Sequence, residues 1–261
     1  MHDLLTLPTD RRQQIARRLL RGQTVSAAAL ATEFQISEDA IRRDLRALAD
    51  EGVCKRVYGG ALPLSPASSS IHLRSGEDIG RKRALARAAA ELVREGQTLF
   101  LDTGSTNRQL AVELREDADL TVVTNSVPVA AALMDRPGIA LVVIGGRVDT
   151  TIGGCVGARS ITELQRFRID LCFLGICAIS IEHGIAGFDM ADVDFKRGLI
   201  EVSAETALML TSVKLETAAP YRIGRVTEID HLIVEHDAPA AIVAALRETG
   251  TAVRIADAPG G

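Results

Sequence analysis

From residue 77 to residue 256, short apolar runs alternate with longer amphipathic ones. The apolar runs are Thr98-Leu99-Phe100-Leu101, Leu120 to Thr124, Ile139 to Ile144, Asp170 to Leu174, 206–210, Leu232-Ile233-Val234 and Ala252 to Ile255. Helical periodicity fills the intervals at 77–95, Ser105 to Leu114, Val127 to Met134, Arg159 to Phe167, 191–205 and Pro239 to Arg247. In the first of these, Ile79, Leu85, Ala86, Ala89, Leu92 and Val93 share the inward face. Strands that lack polar alternation are buried on both faces, and strand–helix repetition is the pattern of a parallel sheet. The expectation is an α/β fold with a mainly parallel sheet covered on both sides.

The first sixty residues follow a different pattern. Thr9 is placed to cap a helix reaching Leu20, with Ile15 and Leu19 inward and Gly22 at its end. Ser26 caps a short second helix, Ala27 to Phe34, and Gln35-Ile36-Ser37 is a tight connection to a third. In that third helix Ile41, Leu45 and Leu48 recur at i, i+4 and i+7, while Arg42, Arg43 and Arg46 occupy the remaining face. Ser37 stands at its N-cap, and Glu38 and Asp39 suit the positive helix end. Two short helices joined by a tight turn, the second basic, form a helix-turn-helix. Val53 to Ala61 then alternates and turns on Gly59-Gly60, as a two-stranded wing presenting Lys55 and Arg56 would. Asp44 has a second reading, as an internal partner of Arg43, Arg46 or Lys55.

Charge supports the division. Residues 1–61 hold 10 Lys+Arg against 8 Asp+Glu, and the remainder 20 against 26, within a chain of net charge −4. Pro63-Leu64-Ser65-Pro66-Ala67-Ser68-Ser69-Ser70 has the composition of a linker. The expected boundaries are a DNA-binding domain at 8–63, a linker at 64–77 and an α/β domain at 78–257. Cys54, Cys155, Cys172 and Cys177 show no metal-ligand spacing, so no metal and no disulfide framework is expected. Nothing at the start of the chain reads as a signal core, and no run of ~18–20 apolar residues suggests a membrane span. A cytoplasmic protein without a cofactor is expected.

The segments "VSAAALATEF", "ISEDAIRRDLRAL" and "YGGA" resemble the helix-turn-helix and wing end of the DeoR family of bacterial transcriptional regulators. Ala40 stands where that family usually has Thr, which removes a hydroxyl from the groove-facing turn. The resemblance implies that the turn from Ser37 through Glu38, Asp39, Arg42 and Arg43 enters the major groove. Either Arg42 or Arg43 is the candidate for guanine, a contact of about 1–3 kcal/mol if bidentate. Ser26, Lys55 and Arg56 would position the module on phosphates.

Loops at the carboxyl ends of parallel strands are where such sheets bind ligands. Asp102-Thr103-Gly104-Ser105-Thr106, Thr124-Asn125-Ser126 and Gly145-Gly146-Arg147 occupy that place after three successive strands. Each also has a plain structural role open to it: Ser105 and Ser126 as N-caps, the Gly pair as a turn. The pieces "LDTGSTNRQLA", "LTVVTNS", "VVIGG", "IDLCFLG" and "DFKRGLIEVSAE" resemble the DeoR-family sensor domain over about 78–256. That domain is similar in fold to ribose-5-phosphate isomerase and the glucosamine-6-phosphate isomerase/CoA-transferase group. The resemblance implies a phosphorylated sugar or polyol held by Asp102, Gly104, Ser105, Thr106, Asn125, Gly145, Gly146, Lys196 and Lys214. Lys196 has a second, lesser reading, as an ordinary exposed helix lysine. Two departures, Gly175-Ile176-Cys177-Ala178-Ile179 and Thr211-Ser212-Val213-Lys214-Leu215-Glu216, alter usual family segments.

The isomerase relatives carry carboxylates after a strand where this chain has "LGICAIS", without one. The leading expectation is therefore an operator-binding regulator, a repressor of a carbohydrate or polyol operon, acting as a homodimer or homotetramer under sugar-phosphate control. An isomerase-like enzyme and a constitutive DNA-binding protein with an inactive sensor are the alternatives.

Overall fold

The computed structural model describes residues 8–20, 23–65 and 69–260. Gly22 and residues 66–68 of the Pro/Ser stretch, both assigned roles above, lie outside the described residues. The N-terminal unit comprises α1 (Pro8–Leu20), β1 (Val25–Ser26), α2 (Ala27–Phe34), α3 (Glu38–Asp50), β2 (Cys54–Val57) and β3 (Gly60–Pro63). Thr9 falls inside α1 rather than before it. Gln35 turns the chain between α2 and α3 in the left-handed region, at φ 53°. Ile15, Leu19, Leu30, Ile41, Leu45 and Leu48 meet in one core. β1, β3 and β2 close it as an antiparallel sheet.

Asp44 is buried in this unit, and its partner is on α1: Arg11 Nε lies 2.6 Å from Oδ2, and Arg12 Nη2 3.8 Å from Oδ1. The pairing excludes the three partners proposed from sequence, and it ties the arginine-bearing helix to α1.

The C-terminal unit is built on seven strands: β4 (Thr98–Leu101), β5 (Leu120–Thr124), β6 (Ile139–Val143), β9 (Ile169–Phe173), β12 (Ser203–Leu210), β14 (His231–Val234) and β15 (Ala252–Ile255). Their order is β15-β14-β12-β9-β4-β5-β6, and every pairing is parallel. Helices α5 (Ile79–Ala90), α6 (Ser105–Glu113), α7 (Val127–Leu133), α8 (Ala158–Leu164), α9 (Met190–Val202) and α10 (Ala240–Glu248) cover the faces. Leu99 and Leu101 of β4 enter one core and Phe100 the other, as strand periodicity requires. The α/β class with a parallel sheet is thus as read from sequence.

From β4 the chain runs outward through β5 and β6. It then returns to the other side of β4 as β9, and runs outward again through β12, β14 and β15. The sheet therefore reverses between β4 and β9, and ligands of open α/β sheets bind at such a point.

Several elements were not expected. α4 (Ile71–Gly76) lies inside the stretch read as linker. β7 (Val148–Asp149) and β8 (Gly154–Cys155) form a hairpin. β10 (Ala178–Ser180), β11 (Gly184–Gly187) and β13 (Tyr221–Gly224) form a small antiparallel sheet. These pieces have two to six residues, too few to show a period. Ile79, expected inward, is the first residue of α5 and is half exposed.

Asp44→Ala leaves the Arg11 guanidinium buried without its partner. It is expected to destabilise the N-terminal unit by about 3 kcal/mol, read as a lower chemical-denaturation midpoint.

Candidate functional site

Asp102 follows β4 and is fully buried. Its Oδ1 accepts from Thr103 N (2.6 Å) and Thr103 Oγ1 (3.3 Å), and its Oδ2 accepts from Gly175 N (2.8 Å). Oδ2 also lies 3.2 Å from Lys196 Nζ of α9. Lys196 donates to Thr103 Oγ1 at 3.3 Å and pairs with Asp192 one turn earlier on α9. Burial works to lower the Lys196 pKa, but Asp102 and Asp192 outweigh it and hold it above the ordinary lysine value. Burial, helped by the Asp102 charge, raises Asp192 against the pull of Lys196. Gly175 has no room for a side chain, since a Cβ there would sit 1.9 Å from Thr103 O. The loops after β4 and β9 are thereby locked to α9.

Above this cluster opens a cleft of about 690 Å³, part of it continuous with solvent. The start of α6, the 175–177 turn, Asp189, Asp192, Lys196 and Lys214 form much of its wall. Gly104 stands at the N-cap of α6 and supplies no side-chain cap, and the first amide to bond back is Arg108 N, to Gly104 O. The amides before it therefore have no intrahelical partner, and they sit at the positive helix end. Ser105 and Thr106 are only 7% and 6% exposed, and their hydroxyls make no hydrogen bond among the described residues. Such a helix start with free donors is suited to an anion. Lys214 Nζ donates to Ile176 O at 2.8 Å. Burial pushes the Lys214 pKa down to about 8; the charges of Arg74, Lys82 and Lys196 act in the same sense, with Cys177 opposing.

Of the residues expected here, Gly104, Ser105, Thr106, Lys196 and Lys214 line the cleft together. Asp102 lies beneath it and orients the wall. Asn125, Gly145 and Gly146 are not among its lining residues. Asn125 Nδ2 donates to Cys155 O (3.3 Å), while Gly145 O accepts from Ser160 Oγ (3.0 Å). At Gly146, φ is 148°, and a Cβ would meet Ser160 Oγ at 2.9 Å. These loops follow β5 and β6, beyond the point of reversal, and brace β8 and α8. Ser126 caps α7, accepting from Val129 N, whereas Ser105 is the first residue of α6 and not its cap.

Arg74, Asn107, Asp189 and Asp192 belong to the site or its support and were not singled out from sequence, whereas Thr103 lay in the loop read as ligand-binding and Cys177 in a segment that departs from the family. Asn107 Nδ2 spans the reversal, donating to Asp102 O (2.9 Å) and Phe173 O (2.8 Å). The Asp192–Lys196 spacing of one helical turn was a readable signal.

On the N-terminal unit, Ser26 and Ser37 are N-caps, accepting from Ala29 N (3.4 Å) and Ala40 N (3.3 Å). Arg42 pairs within its helix, to Glu38 at 2.8 Å and Asp39 at 3.4 Å. Arg43, Arg46 and Arg56 are exposed and make no ion pair among the described residues. Lys55, expected on phosphate, instead donates to Ala219 O (3.1 Å) and Pro220 O (3.4 Å) of the larger unit. Beside it Ala218 N donates to Pro63 O (2.9 Å), Ser65 N to Ala218 O (3.0 Å), and Ser65 Oγ to Cys177 O (2.5 Å).

A winged helix-turn-helix with an open arginine face, joined to an α/β unit with a cleft at the reversal of its sheet, defines a DNA-binding regulator with a ligand-sensing domain. The sequence matches the family described as DeoR C terminal sensor domain over residues 77–236, and the DeoR-like helix-turn-helix domain over 11–67. It is 31% identical to the glycerol-3-phosphate regulon repressor of Escherichia coli (strain K12), over 86% of this chain and 89% of that protein. It is also 31% identical to the HTH-type transcriptional regulator GolR of Listeria innocua, over 96% of this chain and 99% of that protein. Among solved structures, ribose 5-phosphate isomerase A of Methanocaldococcus jannaschii is similar with a TM-score of 0.39 and 18% identity, over 51% of this chain and 53% of that one. The chain belongs to the DeoR family of transcriptional regulators, and it is a regulator rather than an enzyme.

An anion bound beside Lys214 favours its protonated form. Affinity for inorganic phosphate is therefore expected to fall as pH rises through about 8, where the free lysine loses its proton. Titration calorimetry at pH 7 and pH 9 reads this, and Lys214→Met should flatten the dependence.

Proposed function

We propose that this chain is a cytoplasmic repressor of a carbohydrate or polyol catabolic operon, and that a phosphorylated sugar or polyol in the cleft between β4 and β9 modulates its hold on the operator. The observation that carries the ligand assignment is the convergence of the uncapped α6 start, the Ser105 and Thr106 hydroxyls and Lys214 on one cavity. A phosphate needs several donors and a positive field, and this wall supplies both. The names of relatives, a glycerol-3-phosphate regulon repressor among them, point the same way. Asp102 acts through Thr103, Gly175 and Lys196 rather than by touching the ligand.

On the DNA side, the first turn of α3 enters the major groove, with Arg43 reading a base and Arg56 holding phosphate. Arg42, neutralised by Glu38 and Asp39, is the weaker candidate. Residues 8–63 form the DNA-binding domain and 78–257 the sensor, with 64–77 connecting them. Two or more copies would present α3 at a spacing set by the sensor assembly. No described helix is long and apolar enough to cross a membrane.

The test is a gel shift at fixed salt, using DNA upstream of the chain's own gene, with and without glycerol 3-phosphate and a panel of phosphosugars. Specific binding that changes with one of these ligands is expected. A well-folded preparation that binds no such DNA at low salt overturns the regulator's mechanism, and binding unmoved by every ligand favours an inactive sensor. Arg43→Ala should weaken operator binding about 10-fold or more, consistent with the ~1–3 kcal/mol of a bidentate base contact, with an unchanged melting curve.

A further inference from the structure

The cleft has an unequal distribution of charge. At its α9 end Asp102, Lys196 and Asp192 sum to one negative charge, and Asp189 stands beside them. Elsewhere on its wall are Lys214 and Arg74, and the recess beside them adds Lys82 with Glu77 and Asp78, which leaves one positive charge among the five. Arg74 comes from neither the sheet nor its covering helices. It belongs to α4, in the segment that connects the two units.

The position of Arg74 is built. Its Nε donates to Ser69 O (2.8 Å), while its two Nη groups have no partner among the described residues. Lys82 Nζ donates to Arg74 O (2.5 Å) and Glu77 O (2.6 Å), fixing the end of α4. Ile71 is buried, and its amide donates to Thr151 O (2.8 Å). Arg74, Ser105, Thr106 and Lys214 are the four residues that line both the cleft and the smaller recess beside it. They mark the neck where the free α6 amides, two unpartnered and nearly buried hydroxyls and two cations converge.

We propose that Arg74 is a phosphate ligand of the cleft, and that through it occupancy is passed to the connecting segment that carries the DNA-binding domain. This rests on the sugar-phosphate reading and adds the ligand's orientation: phosphate toward Arg74, Lys214 and the α6 start, hydroxyls toward Asp189 and Asp192. A guanidinium with both Nη groups free presents a planar fork that matches two phosphate oxygens, a geometry that a lysine ammonium does not preset. Carboxylates accept hydrogen bonds from hydroxyls but repel phosphate, so the reverse orientation is disfavoured. Binding at Arg74 adds a further tie to α4 that exists only when the cleft is filled, and this difference between states is what an effector needs in order to act.

The experiment uses the full chain as wild type, Arg74→Gln and Arg74→Lys. Calorimetry with inorganic phosphate and with glycerol 3-phosphate measures binding, and hydrogen exchange over residues 69–76 measures ordering of the connector. Arg74→Gln should lose at least 10-fold in affinity for both ligands, and Arg74→Lys should lose less. Phosphate should slow exchange over 69–76 in the wild type and not in Arg74→Gln. If the wild type binds neither ligand, the sugar-phosphate reading fails, and Arg74's role with it. If the wild type binds and Arg74→Gln binds equally well, Arg74 is not a ligand and the reading of the cleft stands. If Arg74→Gln loses affinity but wild-type exchange over 69–76 is unmoved by phosphate, the transmission to the connector is refuted.

Discussion

The interior ammonium of Lys196 holds the sensor domain's working end together. Three charges lie almost fully out of solvent there, and taking each from water costs several kcal/mol even after relaxation. What offsets that cost is completeness. Asp102 accepts from two backbone amides and a hydroxyl besides meeting Lys196. Lys196 in turn reaches two carboxylates and Thr103. Removing any one member would strand the others in a medium that cannot solvate them. The cluster also joins parts distant in sequence, namely the ends of β4 and β9 and the body of α9. The floor of the cleft is therefore a fixed reference, against which more loosely bonded parts of the rim can shift.

Its location follows from the topology. The strand order reverses between β4 and β9, with α6 after β4 packed on one face of the sheet and α9 after β9 on the other, so two strand ends open a crevice there. The loops after β5 and β6 have a similar composition of small and polar residues, but they lie away from the reversal of strand order. They fold onto β8 and α8 and supply packing. Small, polar and glycine-rich therefore described three loops correctly, and one of the three lines the cleft.

This explains which parts were legible in advance. Long periods survive in sequence: the apolar runs of the sheet, and the i, i+4, i+7 spacing of Ile41, Leu45 and Leu48, named the two units and their folds. Features made by contact between distant segments left little trace. Asp44 was clearly unusual, yet nothing along the chain selected Arg11 as its partner. Lys55 looked like a phosphate anchor because its neighbours are those of a wing, whereas its ammonium is spent on carbonyls 164 and 165 residues away. Arg74 sat in a segment whose Pro and Ser content read as a tether, and a six-residue helix is too short to announce itself.

These contacts place physical constraints on how the two units communicate. Lys214 bonds to Ile176 O at the cleft, and the residues after it lead to the N-terminal unit. Lys214 O accepts from Thr217 Oγ1 (2.7 Å), Thr217 N donates to Ile179 O (3.3 Å), and Glu216 O accepts from Thr24 Oγ1 (3.3 Å). Ala218 and Ala219 then meet Pro63, Ser65 and Lys55. A ligand that draws the Lys214 ammonium away from Ile176 O acts on one end of this loop, whose other end is bonded to the wing. Tight binding alone would not suffice, because a ligand held equally in both arrangements shifts neither. Under the proposed reading, what would let the cleft act as a sensor is that two of its cations, on α4 and on this loop, belong to segments that also reach the DNA-binding unit, while the third is immobilised between Asp102 and Asp192.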